Sequence, residues 1–269
     1  MDDRVKKLID NAVLKIIENT SSADKIKSLK EKHSKKIHFI PNRYRVFGGL
    51  LQSMNIQFGN FIETLMELLI ESDGKYRIIK KYSGKKNNTF KLSVYNDALI
   101  DNYITRCQTE NVNLETEFPI LLQEIINNKN GESKTFKHDI DLLFENIQTG
   151  QIYYLECKYN DDHDTGKFVD INRKFIKTYA YLVNEFDIKE QDVNKLIPIL
   201  FFFNNKRMKG NNYIPEETNI KRGKRFFNDF LAVTYEDVDK YMSNLSEDET
   251  TIKAFNDLYN KITGTEIIR

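Results

Sequence analysis

His138-Asp139-Ile140-Asp141-Leu142-Leu143-Phe144, followed by Tyr153-Tyr154-Leu155-Glu156-Cys157-Lys158-Tyr159, decides the fold. Apolar and polar residues here follow a period of two, so Ile140 to Asn146 and Gln151 to Tyr159 read as strands. Gln148-Thr149-Gly150 between them supplies a turn with its glycine in place. In the second strand Tyr154, Glu156 and Lys158 share one face, while Leu155 and Cys157 take the other. A carboxylate and an ammonium therefore stand side by side inside an apolar strand. Burying either costs several kcal/mol unless it is paired or binds something. Asp141 opens the preceding strand, and a tight hairpin brings it across from Glu156 and Lys158.

Outward from this pair the pattern returns to helices. On the C-terminal side Asp170 to Phe186 is helical, and Leu196 to Phe203 is a continuous apolar run that fits a strand buried on both faces. From Arg225 onward the tail reads as helices, with Ser246-Glu247-Asp248-Glu249-Thr250 as a turn and cap. On the N-terminal side Asp2 to Glu18, Ala23 to His33, Gly49 to Glu71 and most of Tyr95 to Asn128 read as helices. Ile37 to Val46 reads as an extended connector, Gly59 as a break or close packing point, and Lys75 to Leu92 as a hairpin around Ser83-Gly84-Lys85-Lys86-Asn87-Asn88. The order predicts an α/β fold with a mixed sheet and helical additions at both ends. The chain reads as one domain: a helical part over about 1–135, a core over about 136–205, and a basic, then helical part over about 206–269.

Composition excludes several classes. In 269 residues, 40% hydrophobic and 30% charged content allow a sizeable core and argue against disorder. Two cysteines, Cys107 and Cys157, form neither a disulfide framework nor a zinc motif. The N-terminus shows no signal peptide, and Ile197 to Phe203 is far too short to cross a bilayer, so a cytoplasmic, membrane-free setting is expected. Lys and Arg total 41 against 40 Asp and Glu, a net charge of +1 that hides strong segregation. Residues 21–45 hold eight basic and two acidic residues, and residues 204–225 seven and two. Lys80, Lys81, Lys85, Lys86 and Lys91 form a run without acids, whereas residues 226–269 hold four basic and nine acidic residues. Such segregation is expected where one face meets phosphates. It is also compatible with a solvated lysine-rich surface.

Two carboxylates, Asp141 and Glu156, converging with the backbone carbonyl of Cys157 make an all-oxygen site, which suits a hard cation such as Mg²⁺. Lys158 beside it can orient a water or help to deprotonate it, and can screen a crowded phosphate. These are the parts needed to hydrolyse a phosphodiester. The bland alternative is a cross-strand salt bridge on a half-exposed sheet. Asp139 reads as a capping or turn acid, or as the ligand in place of Asp141. The side chain of Cys157 points away from the acids, and His138 and His163 lack a nucleophile to serve.

Asp141, a hairpin and then Glu156-Cys157-Lys158 resemble the D…(D/E)-x-K motif of the PD-(D/E)XK nuclease superfamily; Ile140 stands where the namesake proline would be. The likeness covers roughly Asp139 to Asn204 and implies a restriction-endonuclease-like αβββαβ core. Chain length and helical elaboration resemble the type II restriction endonucleases, in particular the group around TdeIII and HinfI. The resemblance implies a bacterial Mg²⁺-dependent enzyme, with one or two ions per active site, that cuts double-stranded DNA at a short site and leaves 5′-phosphate ends. It also implies a homodimer on a palindromic target and a cognate DNA methyltransferase. Members often add a glutamate from the helix before the hairpin, which points to Glu63. The remaining expectations are DNA contacts. Lys85, Lys86, Lys167 and Arg173 are placed to grip phosphates, and the loop Asp164-Thr165-Gly166-Lys167 to grip the scissile strand. Asn204, Asn205, Lys206, Arg207, Arg222, Lys224 and Arg225 mix amides with cations, and such groups can read base edges. A structure-specific repair or junction nuclease, and a non-catalytic DNA-binding protein on the same fold, remain open alternatives.

Overall fold

The structure is a computed structural model that describes residues 1–162 and 165–264. His163 and, of the expected strand-gripping loop, Asp164 lie outside the described residues.

The chain forms two compact units, Met1–Met66 with Val233–Arg269, and Glu67–Ala232. The first is helical. It contains α1 (Asp3–Thr20), α2 (Ala23–Ser34), most of α3 (Asn42–Ser72), α8 (Tyr235–Ser246) and α9 (Glu249–Thr263). Ser22 caps α2, and the Asp248 side chain caps α9 by accepting from the Thr250 N–H, as the acidic turn predicts. Ile17, Ile26, Leu29, Val46, Leu50, Met54, Leu258 and Ile262 form its core. The expected connector is shorter than the sequence suggests, because α3 already begins at Asn42, next to Pro41. Gly59 lies inside α3, and a Cβ there would meet nothing within 4 Å, so it marks neither a break nor a close approach.

The second unit is the α/β part. Its main sheet has the order β1-β4-β5-β6-β7, formed by β1 (Tyr76–Ile78), β4 (Leu142–Asn146), β5 (Ile152–Lys158), β6 (Leu196–Phe202) and β7 (Ile220–Arg222). The β1–β4 and β4–β5 pairs are antiparallel, and β5–β6 and β6–β7 are parallel. This is the expected mixed sheet. The parallel β5–β6 connection runs through α6 (Thr165–Glu185) and a 3₁₀ turn, Glu190–Lys195. A parallel pair needs such a crossover. Gly150, at φ +69°, closes the β4–β5 turn. As expected of a strand covered on both faces, β6 is buried along nearly all its length.

One expectation fails. Lys75 to Leu92 is not a hairpin: β1 pairs with β4, while β2 (Gly84–Ser93) pairs with β3 (Ser133–Ile140) in a separate two-stranded ribbon. Two helices, α4 (Val94–Thr109) and α5 (Leu114–Asn127), separate β2 from β3 in the chain. Ser83 joins the two layers, donating to the Leu143 carbonyl and accepting from the Leu143 N–H. Under the ribbon, Phe90 stacks on Tyr181 of α6, and Asp101 of α4 binds Arg173 and Lys177 of α6. The short α7 (Gly223–Phe230) buries Phe226, Phe227 and Phe230.

Candidate active site

Asp141 occupies the single-residue bend between β3 and β4, where the chain leaves the ribbon and enters the main sheet. Leu142 pairs with Leu155, so Asp141 falls opposite the end of β5 that carries Glu156 and Lys158. Its Oδ2 accepts from the Cys157 N–H at 2.8 Å and from Lys158 Nζ at 3.3 Å. Glu156, 7% exposed, accepts from Lys158 Nζ at 2.7 Å through Oε1 and from the Tyr154 hydroxyl at 2.8 Å through Oε2. Lys158 Nζ also donates to the Cys157 carbonyl at 2.8 Å. The ammonium therefore stands where three oxygens converge, namely those of the two carboxylates and the carbonyl that the sequence singles out. Asp139 does something else: its Oδ1 accepts from the N–H of Asn87, a residue held at φ +51° in the irregular stretch of β2. It is a turn acid, and Asp141 is the one that converges.

The electrostatics follow from burial and pairing. Burial alone would raise the Glu156 carboxyl, but the Lys158 charge and the hydrogen bonds from Lys158 and Tyr154 hold it below its ordinary value. Burial works against the Lys158 ammonium too, yet Glu156 and Asp141 raise its pKa, so it stays charged. Burial pushes the Tyr154 hydroxyl well up, keeping it a donor. His138, on β3, is lowered mainly by burial and is neutral at neutral pH. The Cys157 side chain is buried on the opposite side of the strand. Tyr154 is the partner of Glu156 that the sequence reading does not single out. The signal is present, since it shares the strand face of Glu156 and Lys158.

The expected DNA contacts sort into two groups. Lys85 and Lys86 are exposed in the irregular segment of β2, which rejoins the ribbon register where Gly84 meets Ile140, next to Asp141. Lys167 on α6, Asn205, Lys206 and Arg207 in the loop after β6, and Lys224 on α7 are also exposed. Asn204 turns that loop by accepting from the Lys206 N–H, and Asn205 accepts from the Lys224 N–H. The second group is committed to carboxylates: Arg173 to Asp101 and Asp170, and Arg225 to Glu217. Arg222 is a correction. It is 9% exposed, lies over the Phe202 ring, and bonds Asp161 at 3.1 Å and Glu216 at 2.5 Å. Its charge is committed to Asp161 and Glu216, so it does not stand among the exposed cations. Glu63 lies on α3 within the first unit, half-buried.

The profile of the HinfI family, type II restriction endonucleases, matches residues 1–246. The chain belongs to this family. The type II restriction enzyme HinfI of Haemophilus influenzae is 60% identical over 263 residues, 97% of this chain and 98% of that one. No solved structure matches the chain. Membership of the HinfI family makes the chain a site-specific type II restriction endonuclease, an endodeoxyribonuclease, as the Asp141…Glu156-Cys157-Lys158 pattern implied. Among the described residues no helix is long and apolar enough to cross a membrane.

Proposed function

We propose that Asp141, Glu156 and the Cys157 carbonyl hold Mg²⁺, and that the enzyme uses this centre to hydrolyse phosphodiester bonds of double-stranded DNA at a short site, leaving 5′-phosphate and 3′-hydroxyl ends. The observation that carries the proposal is the triple contact of Lys158 Nζ with oxygens of Asp141, Glu156 and Cys157. A positive group already satisfies that donor set, and an all-oxygen set suits a hard divalent cation. When bound, the ion would act as a Lewis acid and lower the pKa of a coordinated water.

The chain's own groups supply the rest. The Asp141 and Glu156 carboxylates would face the cation, and the Cys157 N–H fixes the rotamer of Asp141. Tyr154 holds Glu156 from the side opposite Lys158. Lys158 is positive and can donate to the attacking water or to a phosphate oxygen. Its raised pKa favours positioning and charge neutralisation over proton removal. Lys85, Lys86, Lys167, Lys206, Arg207 and Lys224 would grip phosphates, while Asn204 and Asn205 face the duplex from the loop after β6. Arg173 and Arg225 would have to leave their carboxylates to join them.

The order α3, β1, β4, β5, α6, β6 supports an αβββαβ core in which β2, α4, α5 and β3 form an insertion between the first two core strands. A homodimer with one active site per strand would match a palindromic target. A cognate DNA methyltransferase would protect the host's copies of the site in the bacterial cytoplasm. The test is cleavage of a labelled duplex with product ends identified. Mg²⁺-dependent cuts with 5′-phosphates are expected, and Lys158→Ala should lower the rate by about 10²-fold or more, the scale on which loss of one charge-stabilising donor acts. Cleavage that persists in chelator, or a Lys158→Ala rate equal to wild type, would refute the assignment.

A further inference from the structure

The first unit carries a cationic cleft that the active-site reading does not use. Its volume is about 570 Å³, and Lys25, Lys32, His33, Lys36, His38 and Arg45 are among its walls. Among the described residues no carboxylate lines it. The walls are built, not incidental. A Cβ on Gly49 of α3 would stand 3.2 Å from the Leu29 side chain and 3.4 Å from His33 Nε2, so glycine lets α2 lie close against α3. Two nitrogens in the walls, His33 Nδ1 and Arg45 Nε, are buried and have no hydrogen-bond partner among the described residues. Leaving such groups unmatched is costly unless a ligand meets them. Burial lowers the His33 pKa first, and the neighbouring Arg45, Lys36, Lys32 and His38 lower it further. In the segment between Lys36 and Arg45, Ile37 and Phe39 stand almost fully in solvent, at 105% and 92% exposure, and Phe39 stacks on His38.

We propose that this α2–α3 cleft is a second DNA-binding surface, in which Lys25, Lys32, Lys36 and Arg45 hold phosphates of the duplex backbone. Acid-free cationic walls select a polyanion. The bare Ile37 and Phe39 beside them favour a ligand with apolar sugar and base faces over free phosphate, because apolar side chains in this setting pack into a groove. The inference rests on the chain acting on DNA, but not on the metal centre.

Binding is therefore measured in chelator, where no cleavage occurs, by fluorescence anisotropy of a labelled duplex over a range of salt. The Lys25→Gln/Lys32→Gln/Lys36→Gln variant should bind cognate and non-cognate duplexes more weakly by the same factor. The salt slope of log K should become shallower by about 0.9 for each phosphate that the variant no longer neutralises. In a second measurement that needs no variant, bound duplex should protect Lys25, Lys32 and Lys36 of the wild-type protein from amine acetylation, and inorganic phosphate at equal ionic strength should not. An unchanged salt slope in a variant with wild-type thermal unfolding would overturn the proposal. So would equal acetylation with and without duplex, or equal protection by inorganic phosphate. Each of these outcomes leaves the Asp141–Glu156–Lys158 assignment standing, and a failure of that assignment leaves these readouts intact.

Discussion

At the scale of single residues, the site depends on who pairs with Glu156. Its carboxylate is buried, and two hydrogen bonds keep it ionised, one from Lys158 and one from Tyr154. Tyr154→Phe removes only the second. Loss of that bond takes away an influence that lowers the Glu156 pKa, so the pKa should rise toward 4.5, its ordinary value. The acid limb of the pH–rate profile should accordingly move to higher pH, with unfolding stability reduced by about 1 kcal/mol, the net scale of one hydrogen bond. An acid limb that stays in place would show that the hydroxyl does not tune the carboxylate. Asp141, Glu156 and Lys158 were legible in the sequence because ionisable groups inside an apolar strand are expensive. The distinction between Asp139 and Asp141 was not, since it depends on a bend and on the backbone N–H of Asn87, from a distant part of the chain.

At the scale of elements, the β4–β5 hairpin, α6 and β6 were readable because each is a local pattern. The β2–β3 ribbon was not. Ser83 to Asn88 carries every local mark of a turn, yet the strand after it finds its partner beyond α4 and α5, in Ser133–Ile140, whose residues are mostly polar and half of them exposed. Pairing across such a separation leaves no periodic signal on the polar strand. The loop after β6 is a further case. Buried Asp161 accepts from the N–H groups of Met208 and Gly210, both at 2.9 Å, and from Arg222 at 3.1 Å. Burial alone would raise its pKa, but those backbone donors and then Arg222 hold it below 3.8. Because the folded value is depressed, its contribution to stability is present above about pH 4, the unfolded value, and is lost as pH falls through the lower folded value. Asp161→Asn should cost about 3–5 kcal/mol at neutral pH, because Arg222 then keeps its buried charge with only Glu216 to answer it. Urea unfolding would check this. A loss below about 1 kcal/mol would mean that the Asp161 ion pair does not anchor the loop.

At the scale of the whole molecule, a net charge of +1 conceals a division of labour. The basic stretch 21–45 surrounds the cleft of the first unit, whereas several cations of 204–225 are spent on Asp161, Glu216, Glu217 and Asp229. Sequence counts could not separate these uses, because pairing is a property of the fold. Family membership settles the class of enzyme, and we propose that its chemistry rests with Asp141, Glu156, Lys158 and the Cys157 carbonyl. The most direct measurement pairs cutting with binding on a plasmid of known sequence, using wild type and Glu156→Ala with Mg²⁺. Wild type should yield discrete fragments whose ends share one short sequence, and Glu156→Ala should bind the same DNA with comparable affinity and leave it intact. A Glu156→Ala protein that cuts at the wild-type rate would contradict the account.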